Sequence, residues 1–195
     1  MLSPDIFVRE FFAAANEAPP RGSHLTDDTR WFGERMHDLA GKAGLQCQNK
    51  QSPRSGEWMN IDHVLVRSDT FAAFPVVAVE HENRDASEAT KRGQMPTGTT
   101  KSPHIEWALW KVLAMRAKLS VLVAYPWEKD RDSVLKILAE IVAGFRNEYG
   151  MPPPALLLLG WWQLPRNATW MSAEFLYRPY VPVDRKGTVA LVPLS

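Results

Sequence analysis

A chain of 195 residues, 45% apolar and 23% charged, has the material for one domain with a full core. Its formal net charge of +1 gives no global attraction to nucleic acid or to a membrane surface, so such a partner would have to meet a local patch. The single cysteine, Cys47, excludes an internal disulfide and a thiolate zinc cluster, and no stretch reaches the roughly 18–20 apolar residues of a membrane span.

Residues 4–17 predict an amphipathic helix, with Ile6, Phe7, Phe11 and Phe12 spaced for docking on the main core or on a partner. A homodimer through Ile6–Phe12 is one such docking. Asp5, Arg9 and Glu10 interrupt this segment, so no secretory signal is expected there, and a cytoplasmic protein is. Ala18–Ser23 reads as a linker, which sets residues 1–22 apart from a single domain over 23–195. A second helix is expected from Thr26-Asp27-Asp28 to about Gly44. Its apolar stripe is Trp31, Phe32, Met36, Leu39, Ala40 and Ala43, with Glu34 and His37 on the flank. Leu45–Gln51 predicts a short strand, Pro53–Gly56 a turn, and Trp58–Val66 a strand with Asp62 on the side of Val64 and Val66. Val76–Asn83 is an apolar run that ends in Glu80 and Glu82, and a polar stretch occupies Asn83–Pro103. Then come a helix over His104–Lys118, a strand over Leu119–Tyr125, a helix over Val134–Tyr149 and a buried strand over Ala155–Trp161. Ala173–Tyr177 and Thr188–Val192 read as late edge strands. A meander followed by strand-helix-strand alternation predicts an α/β domain with a mixed sheet.

Side chains two apart on a strand share a face, so Glu80 and Glu82 join the side of Val76 and Ala78. An aspartate among β-branched residues runs against strand propensity, and local rules broken in this way mark sites. Asp62, Glu80 and Glu82 therefore converge from neighbouring strands, with Glu34 arriving from the preceding helix. Buried carboxylates cannot all be ionised without a cation, and oxygen-only ligands favour Mg²⁺, Mn²⁺ or Ca²⁺ over zinc. Such ions on a phosphodiester lower the pKa of a water nucleophile and neutralise the leaving oxygen. The competing reading pairs Glu80 or Glu82 with Lys111 or an arginine. His63 and His81 are expected as buried, hydrogen-bonded side chains, His81 on the other side of the sheet from Glu80.

Glu34 on a helix, Asp62 on the second strand and Glu80-His81-Glu82 ending the third, then a helix and a strand, resemble the PD-(D/E)xK nuclease superfamily. Glu80-His81-Glu82-Asn83 with the Trp-Lys helix and the Val-Leu-Val-Ala-Tyr strand is similar to an uncharacterised bacterial branch of it. The resemblance implies a restriction-endonuclease-like αβββαβ core over about residues 28–125, with residues 126–195 as elaboration. It implies that Asp62, Glu80 and the His81 backbone carbonyl hold Mg²⁺ or Mn²⁺, with Glu34 contributing. The family's lysine, which orients or deprotonates the attacking water, corresponds to Glu82. Some members carry the lysine on the following helix, where Lys111 stands.

The expected function is metal-dependent hydrolysis of phosphodiester bonds in nucleic acid, DNA ahead of RNA, with no membrane partner. The alternative is a catalytically silent nuclease-fold module that binds nucleic acid or a protein. From Arg84 to Lys118 seven basic residues stand against three acids, a local excess that attracts phosphates.

Overall fold

The structure is a computed structural model that describes residues 2–19, 25–50, 60–67, 74–82, 103–126, 128–151, 154–160, 172–185 and 187–194. Helix α1 spans Pro4–Glu17, started by Ser3, whose hydroxyl accepts from the Ile6 amide, and by Pro4 in the first turn. Helix α2 runs over Leu25–Lys42, so Thr26–Asp28 lie inside its first turn. Strands β1 (Gln46–Asn49), β2 (His63–Val66) and β3 (Val77–Glu82) follow, then α3 (Pro103–Ala114) and β4 (Leu119–Ala124). A 3-10 turn at Glu128–Asp130 leads into α4 (Arg131–Tyr149), which ends where Gly150 takes a φ of 81°, open to glycine without strain. Strand β5 (Ala155–Gly160), a one-turn helix α5 (Ala173–Leu176), β6 (Tyr177–Arg185) and β7 (Thr188–Pro193) complete the order.

The seven strands among the described residues form one mixed sheet whose spatial order is the chain order, β1 to β7. β1, β2 and β3 are antiparallel, β3, β4 and β5 parallel, and β5, β6 and β7 antiparallel again. The expected meander and the parallel pairing after it are both present. Two expectations are corrected. Ala173–Leu176 is helical rather than an edge strand, because Ser172 caps it by accepting from the Phe175 amide. Strand β2 begins only at His63, and Asp62 sits in the bend before it. The turn at Pro53–Gly56, Trp58 and Met59, and the polar stretch over 83–102 lie outside the described residues.

Helices cover both faces of the sheet. On one face α1 and α2 press Phe7, Phe11, Phe12, Trp31, Phe32 and Met36 onto Val77, Val79, Val121, Val123 and Tyr177. The phenylalanines of α1 thus dock on the chain's own core. Trp31 Nε1 and an Arg35 guanidinium nitrogen, one turn apart on α2, both donate to the Ala18 carbonyl at 2.6 and 2.9 Å, which ties the end of α1 to α2. On the other face α3 and α4 pack on Leu122, Ala124, Leu157 and Leu159, with Val64, Val66 and Ala78 under Val112 of α3. The Ser120 hydroxyl donates to the Val112 carbonyl at 3.0 Å and pins α3 to β4. No helix of the described residues is long and apolar enough to cross a membrane.

Candidate active site

The last aligned pair of β2 and β3 is His63 with Val79. Extending that antiparallel register by one residue sets Asp62 opposite Glu80. The β1–β2 register, extended past Asn49 and His63, likewise sets Lys50 opposite Asp62. A transverse row of Lys50, Asp62 and Glu80 therefore closes one end of the meander. Asn60 turns the chain into this row with a φ of 53°, a conformation asparagine tolerates, and Ile61 anchors it by burial.

At this row side chains take over from the backbone ladder. The Asp62 amide donates to Glu80 Oε1 at 3.1 Å, and the His81 amide donates to Asp62 Oδ2 at 2.8 Å. Each carboxylate stands in for a carbonyl acceptor on the neighbouring strand, which is why acids can end so buried a run. Lys111, in the last turn of α3, brings Nζ to 2.8 Å from Glu80 Oε1, with the two side chains only 14% and 5% exposed. Lys50 pairs with Asp62 Oδ1 from the more open side. Two acids thus meet two ammonium groups.

The environments of the acids pull apart. Burial raises the Glu80 carboxyl and the Asp62 charge adds to it, so it is pushed up to about 7 against the pull of Lys111 and Lys50. Burial also opposes charge on Asp62, but the Lys50 hydrogen bond and the His81 amide outweigh it and hold Asp62 below the usual carboxylate range. Burial would lower Lys50, yet the hydrogen bond it donates to Asp62 and the charges of Asp62, Glu80 and Glu82 hold its ammonium above the ordinary value. At neutral pH Asp62 is ionised and Glu80 titrates. Carboxylates separated in this way divide acid and base roles between them.

Glu82 ends β3 half-buried, and its charge reaches Lys50. Glu34 is exposed on α2, which covers the opposite face, and its carboxylate lies 3.8 Å from Arg35. Among the described residues Glu34 pairs with Arg35 on α2 and is not brought to Asp62 or Glu80. His81 faces α2, stacked on Phe32 at 4.2 Å, with Nε2 3.1 Å from the Tyr125 hydroxyl, itself 2.8 Å from the Tyr177 hydroxyl. Burial pushes His81 and His63 down to about 4 and the Cys47 thiol up to about 12, so these side chains stay neutral. That is the structural role expected of the histidines.

Lys50, Tyr125 and Tyr177 were not singled out by sequence reasoning. Lys50 follows the short strand that pairs with β2, and its place beside Asp62 depends on the register. Among known proteins, no family model, no curated protein and no solved structure matches the chain. Function is therefore read from the site's chemistry. Among the described residues no three His, Cys, Asp or Glu side chains form a metal-ligating group. Asp62 and Glu80 offer oxygen donors alone, a set suited to Mg²⁺ or Mn²⁺, which take one or two carboxylates and keep several waters. A strand residue turns its N–H and C=O towards the same neighbour, so the amide bond from His81 to Asp62 also turns the His81 carbonyl towards β2.

Proposed function

We propose that the chain is a divalent-metal-dependent nuclease of the PD-(D/E)xK type, built on a restriction-endonuclease-like core. The observation that carries this reading is the meeting of Asp62 and Glu80 across β2 and β3 with a lysine ammonium 2.8 Å from Glu80. The order α2, antiparallel β1–β3, α3 and β4 parallel to β3 supports it, since this is the αβββαβ arrangement the resemblance implies. Asp62, Glu80 and the His81 carbonyl would hold Mg²⁺ or Mn²⁺, and Glu34, on the helix that covers the opposite face, stands outside this set. The bound ion supplies charge neutralisation at the phosphate and a more acidic water. Lys111 takes the part of the family's lysine from the helix, donating to the attacking water, and Glu82 accepts its proton. DNA is the expected substrate ahead of RNA.

Plasmid DNA, single-stranded DNA and RNA incubated with Mg²⁺ or Mn²⁺ test the proposal. Cleavage is expected for the wild type, with a loss of about 10²–10⁴-fold in Asp62→Ala and Lys111→Met. If no substrate is cut and calorimetry detects no binding of either ion, the nuclease reading is overturned.

One observation favours the silent module. The Lys50–Asp62 and Lys111–Glu80 pairs already neutralise both acids, so the site closes without a cation. On that reading Mg²⁺ and Mn²⁺ leave the melting temperature unchanged, while nucleic acid is retained in EDTA and released by salt.

A further inference from the structure

Helix α3 turns two tryptophans to solvent. Trp107 and Trp110 are 57% and 41% exposed, stacked with ring centroids 4.9 Å apart and planes 7° from parallel. Trp110 meets Phe145 of α4 edge-on at 6.2 Å, Phe145 meets Tyr149 at 5.5 Å, and the Arg116 guanidinium lies 5.6 Å over the Tyr149 ring. The result is an open aromatic row across α3 and α4 that ends in a cation. Large exposed aromatics on a soluble surface mark interaction sites.

Arg116 supplies a second observation. Its φ is 51°, a left-handed conformation that helix ends ordinarily leave to glycine or asparagine. Strained backbone of this kind clusters at ligand sites. Here it carries an arginine across to Tyr149.

Position and a single cation point to the occupant. Lys111 on the same helix is held by Glu80, and Arg116 and Lys118 stand against Glu106 and Glu148, so the row offers a ligand the Arg116 guanidinium at its end rather than a net positive field. A flat indole pair that ends in a guanidinium fits a ligand with planar rings and negative charge. That is an unpaired polynucleotide, because a duplex keeps its base faces stacked on one another.

We propose that Trp107 and Trp110 form a stacking platform for a single-stranded stretch of nucleic acid, with Arg116 on its phosphates. The proposal deepens the nuclease reading and rests on its nucleic-acid substrate. Trp107 lies one helical turn before Lys111, so a strand on the platform leads towards Glu80.

The test measures fluorescence anisotropy of labelled oligo(dT), oligo(U) and a duplex of equal length with the full chain in EDTA, where cleavage is off. Binding to an unpaired strand is expected to exceed binding to the duplex, and the two single-stranded arms separate DNA from RNA. Trp107→Ala and Trp110→Ala are each expected to weaken it by about tenfold or more, with Trp107→Phe restoring most of the loss. Arg116→Ala should lower the salt slope by about one. Wild-type affinity in Trp107→Ala overturns the platform, as does light scattering that finds a dimer split by that substitution, since a second copy would then be the occupant. Tryptophan-dependent binding without cleavage removes the nuclease activity alone. Cleavage with binding indifferent to the tryptophans removes the platform alone.

Discussion

Glu80 is the residue on which site and stability meet. Its carboxyl is buried, accepts from the Asp62 amide and faces Lys111, and it titrates near neutrality. Lys111→Met removes the hydrogen bond and charge that restrain Glu80, so its pKa rises further. Above its unfolded pKa the folded state then holds a proton that the unfolded state releases, and stability falls as pH rises. The substitution should therefore cost about 1 kcal/mol more near pH 8 than near pH 5, since the wild-type carboxyl already holds its proton up to about 7. Urea unfolding at both pH values reads this, and a cost independent of pH would show that Glu80 does not depend on Lys111. The acids themselves were legible in the sequence, because carboxylates closing an apolar run need a reason. Lys50 was not. Only the register sets it beside Asp62, and register lies in pairing between strands rather than in either strand's composition.

Elements were legible where burial imposes a pattern. The apolar runs at Val76–Val79, Leu119–Ala124 and Ala155–Leu159 are strands because both of their faces are covered. Strand β6 escaped that logic, since Pro179 and Pro182 argue against a strand interior. The pairing resolves the conflict. β5 reaches β6 only over Tyr177–Tyr180, and β7 only over Tyr180–Arg185. In these ladders Pro182 has a neighbour on one side alone, while the Pro179 carbonyl also accepts from the Leu194 amide just past β7. A second element-level constraint sits where β5 meets the end of β4. A Cβ on Gly160 would stand 2.6 and 2.9 Å from Tyr125 ring carbons. Gly160→Ala should displace Tyr125 from His81 and Tyr177 at a cost of about 1–3 kcal/mol. In a Tyr125→Ala background that cost should vanish, and simple additivity in the double-mutant cycle would refute the contact as its cause.

For the whole molecule, the balance of buried titrating groups fixes the response to acid. His63 and His81 fold neutral, at about 4 against an unfolded 6.5. Between those values the unfolded chain binds protons the folded chain refuses, so stability is lost as pH falls through that window. Glu80, raised from 4.5 to about 7, works in the opposite sense, its folded form holding a proton between those limits. Two groups outweigh one, so net destabilisation on acidification is expected. His63→Gln should flatten the acid limb by about 1.4 kcal/mol per pH unit, the weight of one proton. An unchanged slope in denaturant melts from pH 7 to about 4 would mean that His63 is not the group refusing its proton.

The coincidence of chain order with sheet order bears on how the molecule comes to exist. A strand leaving the ribosome finds its neighbour already made, and none has to be threaded between two others. β2 and β3, with Asp62 and Glu80 at the end they share, can pair before β4 is synthesised. β7 closes the far edge last, against a sheet that is otherwise complete. The candidate site sits in the half assembled first, and the later strands are added to a platform whose acidic corner is already drawn.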